Sequence, residues 1–101
     1  METGIWSSQA DSQVRKALVA VTIEQTLTEI GEPVLEKVSN KLYQDYGCYI
    51  PDCYEKPEYL NRVLKDLFGN SHVGIVETIC KRLDDFAAQK PIAKFLEQIV
   101  S

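Results

Sequence analysis

The amino-acid sequence predicts an all-α fold, a bundle of four main helices plus a short C-terminal helix, and three observations carry that prediction. Apolar residues recur at steps of three and four in five successive segments, which is the spacing of one face of a helix. Pro33, Pro57 and Pro91, with Gly31, Gly47 and Gly69, stand at the edges of those segments. No stretch alternates apolar and polar residues strictly over five positions, and the one β-leaning run, Cys48 to Tyr54, is interrupted by Pro51 and Asp52.

The first helix is expected from Asp11 or Ser12, either of which can cap it, to Ile30. Val14, Ala17, Leu18 and Val21 form one stripe on it, and Ala20, Ile23, Leu27 and Ile30 form a second. Together they make an apolar surface wider than one antiparallel neighbour covers, so a homodimer is among the expected states. Gly31 is placed to end the helix in a left-handed conformation. Pro33 then opens a second helix, since a proline in the first turn gives up an N–H that has no intrahelical partner. Its inward residues are Val34, Leu35, Val38, Leu42 and Tyr46, and Gly47 stops it.

After the break from Cys48 to Lys56, Pro57 opens a third helix with Leu60, Val63, Leu64, Leu67 and Phe68 on its buried side, closed by Gly69. Asn70 or Ser71 can cap a fourth helix, whose expected stripe is Val73, Val76, Ile79, Cys80, Leu83 and Phe86. Pro91 starts the fifth, with Ile92, Phe95, Leu96, Ile99 and Val100. Residues 11–101 therefore read as one helical domain and residues 1–10 as an N-terminal arm. In that arm Ile5 and Trp6 would cover the bundle, reach across a dimer, or belong to a frayed end.

With 101 residues, 45% of them apolar and 26% charged, the chain has the size and composition of one globular domain able to bury a core without disulfides or metals. Its formal net charge of -4 argues against a nucleic-acid module held by phosphate neutralisation. The longest apolar run, Ala17 to Val21, falls far short of the roughly 20 residues of a membrane span. The opening residues lack the basic and apolar regions of a secretory signal, so a cytoplasmic location is expected.

Several segments resemble the Nitrosopumilus output domain, type five, a small archaeal helical family. They are Gly31-Glu32-Pro33-Val34, Lys41-Leu42-Tyr43, the run from Asp52 to Leu60, Leu64-Lys65-Asp66-Leu67-Phe68-Gly69, and Lys94-Phe95-Leu96. The likeness spans about residues 13 to 100 and rests on helix-boundary prolines and glycines and on core leucines. It implies an output role in signal transduction, either fused to receiver or sensor domains or as a free-standing protein. It implies no reaction and no functional residues.

Chemistry is sparse. Cys48 and Cys53, spaced C-x4-C, with His72 and Cys80 downstream, supply a Cys3His set of zinc ligands. The second close pair that structural zinc sites bring is missing, and packing explains Cys80 as well as ligation does. His72, the only histidine, lacks the basic neighbour a turn away that would hold a phosphoryl group. Asp84 and Asp85, adjacent on a helix, point about 100° apart and do not share a site. No nucleophile with a base and no glycine-rich phosphate loop is present, so neither an enzyme nor a cofactor is expected.

What the core leaves unexplained lies between residues 43 and 59, which hold all five tyrosines and two of the three cysteines. Tyr43, Tyr46 and Tyr59 are expected to wall one end of the bundle. Tyr49, Ile50 and Tyr54, in the loop, are the candidate partner-binding residues, because amphipathic aromatics provide large contact area at low entropic cost. The function read from the sequence is accordingly a non-enzymatic signalling output or protein-interaction domain that presents a helical, tyrosine-rich surface to a protein partner. Two alternatives stand beside it: a helix-turn-helix-like, transcription-related binder, and a metal or redox sensor built on the cysteines. The first lacks the turn of 3 to 4 residues its motif requires.

Overall fold

The structure, a computed structural model, describes residues 3–86 and 90–100, with side chains from Gln13 onward. It is all-α, with α1 at Thr3–Ile30, α2 at Glu32–Tyr46, α3 at Pro57–Phe68, α4 at His72–Leu83 and α5 at Lys90–Ile99. Short 3₁₀ turns at Ile50–Tyr54, Gly69–Ser71 and Asp84–Phe86 connect them, and no strand occurs among the described residues. No helix there is long and apolar enough to cross a membrane.

α1 begins at Thr3, so Asp11 and Ser12 lie inside it and cap nothing. No proline or glycine stands between Gly4 and Gly31, and extending a formed helix is cheaper than starting one. The segment expected as an arm is thus, from Thr3, the first turns of α1; the side chains of Ile5 and Trp6 lie outside the described residues. At about 1.5 Å per residue the 28 residues span about 42 Å, close to the 48 Å long axis of the molecule.

Gly31 has an extended backbone, φ 163° and ψ 144°, rather than the expected left-handed one. α2 starts at the next residue, so the Gly31 carbonyl must accept from the Val34 and Leu35 N–H groups, which leaves no room for a left-handed turn. The left-handed cap falls at Gly47, φ 66°, whose N–H donates to the Tyr43 carbonyl while the Cys48 N–H donates to that of Leu42. Gly69, φ 57°, closes α3.

α1 packs on α2, α4 and the 3₁₀ turn Ile50–Tyr54, and α3 packs on α2, α4 and α5. Ile23 and Leu27 of α1, Val38 and Leu42 of α2, Leu60, Val63 and Leu64 of α3, Ile79 and Leu83 of α4, and Ile92, Phe95 and Ile99 of α5 meet in one core. Each such side chain contributes on the order of 1.5–3 kcal/mol of transfer free energy. Buried Thr22 and Thr26 return their hydroxyl protons to the Leu18 and Thr22 carbonyls, each at 2.8 Å, and so enter the core satisfied. Buried Asn61 donates to the Ile99 carbonyl and ties α3 to the last turn of α5.

On α4 the buried stripe is Ile75, Val76, Ile79 and Leu83; Val73 and Phe86 are exposed and Cys80 is half-buried. Val73 sits about 100° of helical rotation from the centre of that stripe, and Ile75 falls inside it. On α5, Val100 is exposed because the helix ends at Ile99.

Candidate functional site

The segment from Gly47 to Lys56 leaves the bundle between α2 and α3 and returns through the 3₁₀ turn Ile50–Tyr54. Its start is built locally. The Tyr49 N–H donates to Asp52 Oδ2 at 2.9 Å, and the Asp52 N–H donates back to the Tyr49 carbonyl at 3.0 Å. This reciprocal pair closes the turn without help from the helices.

α1 then braces it. Arg15 Nε donates to the Tyr54 hydroxyl at 3.2 Å, and the Lys16 ammonium lies 3.8 Å from carboxylate oxygens of both Asp52 and Glu55. On the other side, Lys41 of α2 bridges Asp45 at 3.0 Å and Asp66 of α3 at 4.0 Å. The hydrogen bond and charge of Asp45 are the largest causes that hold the Lys41 pKa above the ordinary lysine value. These pairs are at least partly solvated, so they orient the segment more than they stabilise it.

The tyrosines divide differently from the sequence expectation. Tyr46 and Tyr59 stack face to face, with ring centroids 4.2 Å apart and planes 3° from parallel, and both pack on the core. Tyr54 also packs on the core through its ring, while its hydroxyl accepts the hydrogen bond from Arg15. It keeps a surface edge on an open groove of about 290 Å³ shared with Glu55, Pro57, Lys94, Phe95 and Gln98. Tyr43 and Tyr49, by contrast, stand out of the bundle, 57% and 62% exposed, with rings in tilted contact at 5.6 Å.

Ile50 must be corrected. It is buried at 4% exposure, so the partner-binding trio Tyr49, Ile50 and Tyr54 reduces to Tyr49 fully at the surface and Tyr54 at its edge. The reason is the turn: a 3₁₀ segment lying on α1 directs one face inward, and Ile50 and Cys53, three residues apart, share that face. Tyr43 is the residue that the sequence reading missed. It follows Leu42 of the buried stripe and is therefore rotated about 100° out of it, a signal present in the helical phase.

The cysteines are placed for packing. Cys53 is fully buried and Cys48 nearly so, and Cys53 Sγ lies 3.9 Å from the Tyr49 carbonyl, to which the thiol donates. Burial, with smaller contributions from Cys48 and Asp52, pushes the Cys53 thiol up to about 12. Burial also raises the Cys48 and Cys80 thiols, with Asp52 and Glu77 respectively adding to it. Thiols held protonated are weak nucleophiles and weak ligands at neutral pH. His72 Nδ1 lies 2.9 Å from the Gly69 carbonyl, so that nitrogen carries the proton and caps the turn before α4. Cys48, Cys53, His72 and Cys80 do not converge, and no group of three histidine, cysteine or carboxylate side chains able to hold a metal occurs among the described residues.

Comparison of the chain with family models, with curated proteins and with solved structures gives no match.

Proposed function

We propose that this chain is a non-enzymatic protein-interaction domain, of the output type that its resemblance suggests, and that Tyr43 and Tyr49 are its principal partner-binding residues. The observation that carries this reading is the exposed aromatic pair, Tyr43 in the last turn of α2 and Tyr49 at the start of the turn that Arg15 and Lys16 brace. Two large amphipathic rings held at the surface are ordered before binding, so a partner that buries them gains contact area with little further loss of side-chain entropy. Asp52 and Glu55 are paired with Lys16 within the chain, while the Tyr49 ring and that of Tyr43 beside it stay exposed.

The test is a cross-linked pull-down from the native host with the wild type and with the Tyr43→Ser/Tyr49→Ser double variant. A protein retained by the wild type and lost by the variant, whose circular dichroism is unchanged, is the expected result. The same set of captured proteins from both would refute the assignment.

A further inference from the structure

All five tyrosines lie between residues 43 and 59, and the fold sorts them by what an oxidant can reach and couple. Tyr46 and Tyr59 are half-buried in a parallel stack on the core, and Tyr54 rests on the core with its hydroxyl held by Arg15. Tyr43 and Tyr49 are exposed, yet their ring centroids are 5.6 Å apart, within the roughly 4.5–7 Å of rings in contact. The backbone brings them together. Gly47, in the left-handed region at φ 66°, turns the chain back over the end of α2, its N–H bonded to the Tyr43 carbonyl at 2.9 Å. Tyr49 follows in an extended conformation, φ −116° and ψ 169°, with its N–H held by Asp52 Oδ2 at 2.9 Å. Hydrogen bonds thus fix both backbones while both rings stay open to solvent.

We propose that Tyr43 and Tyr49 form an oxidative modification site, at which hydrogen peroxide, used one electron at a time by a haem peroxidase, joins the two rings into a dityrosine. Each tyrosine gives up one electron and its hydroxyl proton, leaving a phenoxyl radical with spin on the ring carbons beside the oxygen. One such carbon of each ring forms the new C–C bond. The hydrogens those two carbons carried pass through water to the oxygens and restore both hydroxyls. In sum, two tyrosines and one hydrogen peroxide give one dityrosine and two waters. The finished bond lies in the plane of both rings, so the rings must come edge to edge. Tyr43 and Tyr49, tilted by 32° and outside the core, can turn about their side-chain bonds to do so. Tyr46 and Tyr59, 3° from parallel and packed on the core, cannot without unpacking it. Groups held together on one chain meet at an effective concentration of about 1 mM or more, so at about 5 µM protein a link within the chain is favoured over one between chains at least a hundredfold. The link fixes the rings proposed above to bind a partner, a consequence that rests on that reading. Its formation needs no partner, so the two fail separately.

Oxidation of the whole chain at about 5 µM with hydrogen peroxide and a haem peroxidase tests this. The expected product runs as a monomer on a denaturing gel and has the blue fluorescence of dityrosine. After disulfides are reduced, its tryptic peptide Leu42–Arg62 should be lighter than the parent's by two hydrogen atoms. Tyr43→Phe and, separately, Tyr49→Phe keep the ring but lack the hydroxyl whose proton must leave, so each is expected to abolish the product. Tyr46→Phe and Tyr59→Phe, which keep the stacked rings in place, should leave its yield unchanged. Circular dichroism of all four variants should match the wild type. Three results would each overturn the proposal: no link within the chain under conditions that couple free tyrosine, links between chains only, or an undiminished yield in Tyr43→Phe or Tyr49→Phe.

Discussion

Three glycines should respond to one substitution in opposite directions, and the structure supplies the reason. An added Cβ meets nothing within 4 Å at Gly47, Gly69 or Gly74, so contacts contribute nothing and the backbone conformation decides. Gly74 lies inside α4 with ordinary helical torsions, where alanine is favoured over glycine by about 0.5–1 kcal/mol. Gly74→Ala is therefore expected to raise the melting temperature by about 2–8 °C for a domain of this size. At Gly47, φ 66° and ψ 26°, a side chain costs about 1–2 kcal/mol, offset by about 0.4–1 kcal/mol from the restricted unfolded chain. Gly47→Ala should thus destabilise by about 0.5–1.5 kcal/mol. Gly69, φ 57° and ψ −129°, lies outside even the left-handed well, and Gly69→Ala should cost more than Gly47→Ala. Urea unfolding followed by circular dichroism at low protein concentration reads all three, with unchanged m-values as the check that only stability moved. A destabilised Gly74→Ala, or a Gly47→Ala at least as stable as the wild type, would refute the backbone argument.

Alkaline pH should weaken the fold through Cys53. Its thiol ionises near the ordinary value of 9.0 when unfolded but only at about 12 when folded, so above pH 9 the unfolded chain has lost a proton that the folded chain keeps, and stability falls as pH rises through that window. The loss from this group between neutral pH and pH 10 is about 1.4 kcal/mol. Unfolding free energies measured over that range should fall more gently for Cys53→Ala than for the wild type, and parallel curves would contradict the assignment. Asn61→Ala should cost about 1–3 kcal/mol because it strands the buried Ile99 carbonyl. Hydrogen exchange should show α5 opening first in that variant, and unchanged α5 protection would remove Asn61 from this role.

The helices and most of their ends were legible because they rest on local chemistry. Pro33, Pro57 and Pro91 stand in the first turns of α2, α3 and α5, and Gly47 and Gly69 close α2 and α3, as read from the residues alone. The start of α1 was not, because Asp11 is a good cap only if the chain before it is not already helical. Helical phase separates inward from outward residues only when the neighbours' directions are known. That is why Val73 and Ile75 exchanged roles on α4, and why Tyr43 was grouped with the packed Tyr46 and Tyr59.

The sequence by itself determined the all-α class, the boundaries set by proline and glycine, and the concentration of unusual chemistry between residues 43 and 59, since each follows from propensity and spacing over a few residues. Only the tertiary structure decided which of those residues reach the surface. Ile50 is buried because α1 lies beneath its turn, Tyr54 is tied by an arginine 39 positions away, and Val14 and Val21 are left uncovered because the bundle fills only one side of α1. Burial is a property of packed neighbours distant in the chain, and no local pattern specifies which neighbours those will be.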